Sequence, residues 1–332
     1  MTDEQSSATD KIDTKIIGLL LENARINFVE IGKEIGISKN TAWNRFSQMT
    51  KTGIITGATV QINYKKLGYD AVGTLLLDVE PSHVKKVSKY IKAKVPGVFG
   101  PFINSSAYNM RAIIALKTIG ELVSIKEELK RKLPISEIGS SIWTDVWFTP
   151  ENLSLIPNRP IELSNNKTGS SSVFNADDID SQIISELSKD SRISFRAIAS
   201  RLDVSIDTIA RRYEKLREEN VIVPRIQIDP SKVGYSALAN FYLRVMPHHN
   251  VNTIISEIFS IPNIFYIMKC NGDFNIGVIL IVKSIQDMLR TGDLLANIRG
   301  IKRVETVASA TTDKWPLAQT YTSTFGRNII AD

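Results

Sequence analysis

One cysteine, Cys270, and three histidines are all the chain holds of the residues that bind soft metals most readily. A lone thiol closes no internal disulfide and builds no cysteine-cluster metal site, and it suits a reducing compartment. Nowhere do 18 apolar residues follow one another, and the opening MTDEQSSATD is polar and acidic, so neither secretion nor membrane spanning is expected. Strong charge of one sign is also missing: 41 basic against 35 acidic residues leave +6, which permits a polyanionic partner without demanding one. Apolar residues are plentiful at 43% of 332, enough for several cores. The expectation is a folded, multidomain, cytoplasmic chain.

An internal repeat organises it. The segment from Ile12, IDTKIIGLLLENARINFVEIGKEIGISKNTAWNRFSQM, aligns without gaps to IDSQIISELSKDSRISFRAIASRLDVSIDTIARRYEKL from Ile179, an offset of 167 that sets Arg25 on Arg192, Phe28 on Phe195, Ser38 on Ser205 and Arg45 on Arg212. After one deletion the offset is 166. It then sets Leu67-Gly68-Tyr69 on Val233-Gly234-Tyr235, Pro81 on Pro247, Pro96 on Pro262, Phe99 on Phe265 and Thr149-Pro150 on Trp315-Pro316. Between the copies, residues 151–176 are rich in Pro, Asn and Ser and lack any period, which marks a linker.

Each copy divides by period. Residues 11 to 51 read as three short helices, with Ile12, Ile16, Leu19, Leu20 and Asn23 on one face of the first, Phe28, Ile31, Ile35 and Ile37 on the second, and Ser38 capping the third. A β-like stretch, GATVQIN, and a turn at Lys66-Leu67-Gly68 follow. Beyond them come a strand near Ala71 to Val79, the helix SHVKKVSKYIKAKV, strands around Val98 to Ile103 and Met110 to Leu116, a helix from Glu121 to Lys132, and a strand near Ser136 to Val146. That βαββαβ order is the ferredoxin-like split, which covers one sheet face with helices and leaves the other for a partner. The expected class is α+β: two winged-type helix-turn-helix domains and two ferredoxin-like domains of the dimeric α/β-barrel type. The expected bounds are 1–62 and 63–150, the linker 151–176, then 177–229, 230–317 and a tail 318–332.

In a helix-turn-helix unit the recognition helix packs its inner face on its neighbours and presents its start to the major groove. Ala42, Phe46 and Met49 repeat at i, i+4, i+7, as do Ile209, Tyr213 and Leu216, and read as core. The residues left outward or near the helix start, Ser38, Lys39, Asn40, Trp43, Asn44 and Arg45 in the first copy and Ser205, Asp207, Thr208, Arg211 and Arg212 in the second, are the candidates for touching double-stranded DNA. Local charge agrees. Residues 25 to 51 carry five cations against two anions, and 192 to 217 seven against three. The bland alternative is that such charges solvate exposed helix faces.

The IDTKIIGLLLENARINFVEIGKEIGIS segment, Arg45, the GII at Gly53 and the KLGY element resemble the Lrp/AsnC regulators of bacteria and archaea over nearly the whole chain, twice. The resemblance implies a nucleoid-associated transcription regulator whose βαββαβ domains dimerise through their open sheets and bind an amino acid or other small effector. Asn271-Gly272-Asp273-Phe274 is similar to the family's turn, making Asn271, Gly272 and Asp273 the effector candidates; an ordinary hairpin turn is the competing explanation. The first copy has Ser105-Ser106-Ala107-Tyr108 there, and its half of any effector site is expected to be lost. A 26-residue linker reaches roughly 30 Å, so the two βαββαβ units of one chain are expected to pair sheet to sheet as an intramolecular pseudo-dimer, with homodimers or higher oligomers beyond it.

No catalytic set, metal site or cofactor is expected. His83 and His248-His249 fall on surface turns, Cys270 on a strand as a small packed residue, and Trp143, Trp147 and Trp315 in packing. Two alternatives compete: an enzyme like the sirohaem decarboxylases, which resemble the same arrangement and use His and Arg, and a ligand-sensing scaffold that no longer binds DNA. The corresponding strands offer Arg111 and Lys269 but no histidine, which weakens the first.

Overall fold

The computed structural model describes residues 9–95, 98–103, 108–148, 173–317 and 324–325. The first copy runs α1 (Lys11–Glu22), α2 (Phe28–Ile35), α3 (Lys39–Lys51), β1 (Ile55–Ile62), β2 (Ala71–Val79), α4 (Val84–Lys94), β3 (Val98–Ile103), β4 (Met110–Leu116), α5 (Glu121–Lys132) and β5 (Ile135–Phe148). The second runs α6 (Asp178–Lys189), α7 (Phe195–Leu202), α8 (Ile206–Glu218), β6 (Ile222–Ile228), β7 (Ala237–Val245), α9 (Val251–Ile258), β8 (Ile264–Asn271), β9 (Ile276–Val282), α10 (Ile285–Ala296) and β10 (Ile301–Ala310), with a short β11 (Thr324–Phe325) after it. The chain is therefore a mixed α and β protein in which a winged helix-turn-helix unit and a β-sheet unit occur twice.

Capping sets the helix starts. Asp10 accepts from the N–H groups of Ile12 and Asp13, Asn27 from Glu30, and Ser38 from Thr41, so each of the first three helices begins on a side chain that satisfies its free donors. In the second copy Asp177 and Asp180 form a capping box, and Ser194 and Ser205 cap the next two helices. The turn before α3 needs a left-handed residue, supplied by Gly36 at φ +76; its counterpart Asp203 takes φ +52. The buried face of α1 is centred on Ile16, Ile17, Leu20 and Leu21, while Ile12 and Leu19 are only half-buried, because two partners rather than one press on it.

The second partner of α1 comes from the other copy. GATVQIN is a strand, but β1 pairs antiparallel with β6, Thr59 opposite Arg225, and not with anything in its own half. The ribbon is exchanged: α1 packs on β6 and α6 on β1. Matching backbone bonds seal both crossings, from Ala24 N to Pro224 O at 3.0 Å and from Ser191 N to Ala58 O at 3.3 Å.

Below the heads, the described strands form one sheet in the order β10-β7-β9-β8-β5-β2-β4-β3, with β11 pairing β5. Each copy contributes the ferredoxin-like order, and the antiparallel β5–β8 pairing, Trp143 opposite Cys270, joins them edge to edge. Helices cover one face of each half. Leu75, Leu77, Val87, Ile91 and Leu129 fill the first core, and Phe241, Leu243, Ile254, Ile258 and Leu295 the second. The uncovered faces of both halves line a common cavity.

Several expectations need adjustment. The final strand of the first copy extends from Ile135 to Phe148, beyond the predicted span. Val173 to Ala176 do not behave as linker: Phe174 is buried and its N–H donates to Lys66 O at 2.7 Å, docking the second copy's approach on the first. Within the tail, Thr324 and Phe325 pair with Trp147 and Phe148. Residues 151–172, 318–323 and 326–332 lie outside the described residues, as do Pro96, Ser105, Ser106, Ala107, Thr149, Pro150 and the side chain of Phe99.

Candidate DNA-binding face and interior cavity

The start of α3 presents Lys39, Asn40, Trp43 and Asn44 to solvent. Trp43 is 50% exposed although its ring leans on Phe28 and Phe46, at 5.1 and 5.9 Å between centroids; Phe46 is consequently half-buried rather than a full core residue. At α8 the exposed residues are Ser205, Asp207 and Arg211, with Thr208 partly covered. Ser38 and Ser205 cap their helices, at 3.0 and 3.1 Å from the N–H groups of Thr41 and Thr208, and in each copy the two hydroxyls also bond at 2.8 Å. The two starts are chemically unlike, because Lys39, Asn40, Trp43 and Asn44 are replaced by Ile206, Asp207, Ala210 and Arg211.

Two predicted contact residues are committed elsewhere. The Arg45 guanidinium bonds the carboxylates of Asp10 at 2.6 Å and Asp13 at 3.0 Å, and Arg212 bonds Asp177 and Asp180 at 2.8 and 2.9 Å. Backbone N–H donation from Asp13, together with Arg45, holds the Asp10 carboxyl below its usual range, and Asp180 N–H with Arg212 does the same for Asp177. These arginines tie the recognition helix to the cap of the first helix in each unit.

The charge reading also changes. Arg25 and Arg192, counted with the basic faces, each cross to the other head. Arg25 Nη1 donates to Ser191 O and Ile193 O at 2.7 and 2.8 Å, and its guanidinium lies 4.3 Å from the Phe195 ring centre. Arg192 Nη1 donates to Ala24 O and stacks over Phe28 and Phe46. Burial pulls the pKa of both below the ordinary arginine value. Arg225, only 5% exposed, goes further: Nη1 donates to Leu21 O and Glu22 O at 2.5 and 2.9 Å and Nε to Gln61 Oε1 at 3.0 Å. Nothing in the alternation of IVPRIQI signals that role. Cations left outward near the two heads include Lys33, Lys39, Lys51, Arg196, Arg201, Arg211, Lys215 and Arg217. Of these, Arg201 and Arg217 pair with Glu186 and Glu214.

The cavity between the two halves of this sheet measures about 630 Å³. Gly272 and Asp273 line it, Gly272 at φ +139 with no atom close to where a Cβ would sit, while Asn271 ends β8 opposite Ile142. The structure thus brings the candidate turn against the first copy's β5 and close to Tyr108, whose hydroxyl donates to Glu137 at 2.7 Å. Arg111 reaches across from β4 and stands 4.5 Å from the Tyr242 ring centre. Cys270 also lines the wall; burial pushes its thiol up to about 11, which keeps it protonated and unreactive. His83, His248 and His249 lie away from this lining. Among the described residues no cluster of three His, Cys, Asp or Glu fits a metal ion, and no helix is long and apolar enough to cross a membrane.

Comparison with known proteins gives the heads a relationship. Residues 177–217 match an AsnC-type helix-turn-helix domain, and residues 9–56 a winged helix-turn-helix DNA-binding domain. The HTH-type transcriptional regulator Ptr1 of Methanocaldococcus jannaschii is 39% identical over 113 residues, which are 34% of this chain and 76% of that protein. An uncharacterized HTH-type transcriptional regulator of Pyrococcus horikoshii is 32% identical over 138 residues, 41% of this chain and 87% of its own. Among solved structures, the siroheme decarboxylase NirDL superposes with a TM-score of 0.62 over 94% of both chains at 13% identity, a likeness of fold.

Proposed function

Since the chain belongs to the Lrp/AsnC family of DNA-binding helix-turn-helix transcriptional regulators, we propose that it reads an asymmetric operator with two unlike heads held in one polypeptide. The observation that carries this reading is the exposed start of each recognition helix: Lys39, Asn40, Trp43 and Asn44 on one head, Asp207 and Arg211 on the other. Asn and Arg amides and guanidinia bond base edges in pairs, Lys39 grips phosphate, and the Trp43 ring meets thymine methyls. Arg45 and Arg212 position their helices rather than read. Because Arg25 and Arg192 join the heads, the spacing between half-sites is set by the fold, and half-sites about one helical turn apart are expected, as for other paired helix-turn-helix units.

Effector control belongs to the same reading. A small ligand near Gly272 and Asp273 shifts the placement of the heads by its difference in affinity for two arrangements of the sheets. Chain pairing beyond the internal pseudo-dimer extends the DNA contact. A decarboxylase-like enzyme is the second reading, favoured by the similarity of fold over 94% of the chain.

Selection of bound sequences from a random duplex pool at two salt concentrations tests the proposal, since salt separates phosphate attraction from base readout. An asymmetric two-part motif that survives the higher salt is expected. Retention that salt abolishes without enrichment defeats sequence specificity, and absence of retention moves the enzyme reading forward.

A further inference from the structure

A cavity on the axis between two identical subunits presents every group twice. This one does not. At the offset of 166 that relates the sheet units, Arg111 corresponds to Gly277, Tyr242 to Leu76, and Trp143 to Ser309. The Arg111–Tyr242 pair therefore occurs once, and no side chain fits at the position equivalent to Arg111: a Cβ at Gly277 would meet Met268 Cε at 2.6 Å.

The cationic end is under-used. Arg111 offers its face to Tyr242, while its Nε is buried with no hydrogen-bond partner among the described residues. A buried donor left unsatisfied costs stability that a bound acceptor restores. Three arginines, Arg111, Arg244 and Arg303, line the space against the carboxylates of Asp273 and Glu305, and Glu305 is already held by Arg303 at 2.5 Å. The balance favours an anion.

The other end is aromatic. Trp143, Phe148, Phe265, Tyr266 and Trp315 line it, with Trp143 and Tyr266 at 6.2 Å and Phe265 and Trp315 at 4.8 Å between ring centres. Register gives the distance between the ends. Leu76 pairs with Arg111 on one side and Gly139 on the other, and Trp143 lies four residues further along β5, about 13 Å at ~3.3 Å per residue. A volume of about 630 Å³ is of the size that encloses a small organic ligand.

We infer that this cavity binds one aryl carboxylate per chain, its carboxylate on the Arg111 fork and its ring system among Trp143, Tyr266 and Phe148. Such an acid, a bicyclic ring on a short carboxylate arm, spans the two ends in a single orientation. The inference deepens the effector reading and rests on it for any consequence at DNA. The geometry also separates the ligand from a free amino acid, since the ring pocket and Arg111 together call for an acid without an obligatory ammonium group.

Calorimetric titration of the intact chain tests it with three probes: indole-3-propionate, tryptamine and cyclohexanepropionate. Indole-3-propionate is expected to bind once per chain, and tryptamine and cyclohexanepropionate at least roughly 10-fold more weakly. Arg111→Met should weaken the acid roughly 10- to 100-fold without lowering the unfolding midpoint of the unliganded chain, and Arg111→Lys, which keeps the charge without the fork, should fall between. Equal binding of tryptamine, no detectable binding of indole-3-propionate, two acids per chain, or an unaffected Arg111→Met variant each overturns the inference. Retention of duplex DNA by the wild-type chain is scored separately. DNA binding without acid binding removes this site alone; acid binding without DNA retention removes the regulator reading and leaves the site.

Discussion

Arg225→Met isolates the exchange of strands between the heads. The side chain is 5% exposed and donates to Gln61 Oε1 and to Leu21 O and Glu22 O, the last two at the end of α1 where carbonyls lack helical donors. Methionine keeps much of the volume and strands those acceptors. Each lost bond from a charged donor is worth about 1.5–3 kcal/mol, while release from burying a guanidinium offsets part of the sum, so a net loss of about 3 kcal/mol is expected. At a slope near 2 kcal/mol/M this moves the urea midpoint down by about 1.5 M. The pseudo-equivalent residue is an internal scale. Thr59 donates a single bond to Ser188 O at 2.9 Å, where Ser188 matches Leu21 in the repeat, and Thr59→Val should cost only about 1 kcal/mol. Urea unfolding of both variants decides the matter: a shift for Arg225→Met no larger than that for Thr59→Val refutes the assignment of Arg225 as the bridge between heads.

Arg211→Ala is expected to weaken operator binding by roughly 10-fold without moving the unfolding midpoint, whereas Arg212→Ala lowers the midpoint because it releases the α6 cap; mobility-shift and melting measurements on both variants check the division. The Asp10 and Asp177 carboxyls titrate below their unfolded values, so their contribution is present above about pH 4 and disappears as pH falls through the folded values; the Arg212→Ala deficit should be intact at pH 6 and shrink below pH 4, as melting at each pH would register. With its thiol at about 11 against an ordinary 9.0, Cys270 should react with iodoacetamide at pH 8 about 100-fold more slowly in the native chain than in urea, and equal rates would contradict its burial.

The repeat made the architecture readable. Aligning Ile12 on Ile179 and Met110 on Ile276 places every helix and strand of one copy on the other, and the capping serines follow from local rules alone. Partnership was not readable. Periodicity says that a face is buried but not by what, so the broad apolar face of α1 gives no hint that β6 covers half of it, and GATVQIN does not announce β6 as its neighbour. Arg25 and Arg192 look like any exposed cation of a basic helix unit, and only the folded chain reveals that each caps backbone in the opposite head. The pairings of Arg45 and Arg212 were hidden for a related reason: their partners, Asp10 and Asp177, lie 35 residues upstream, beyond the reach of helical spacing. The cavity was half legible, since strand alternation exposes Arg111, Trp143 and Tyr242 on open faces while the face opposite remains unspecified.

The exchanged ribbon has a consequence for how such a chain changes over generations. When two identical subunits swap strands, every substitution is written into both halves at once, and any gain at one head is imposed on the other. Fusion removes that bond. Where the copies grip each other, at Arg25 and Arg192 or at Thr59 and Arg225, a change in one half must be answered in the other, so those positions are tethered. The starts of α3 and α8 carry no such tether, and it is there that Asn44 stands where the other copy has Arg211: the scaffold holds still while the parts that meet other molecules drift apart.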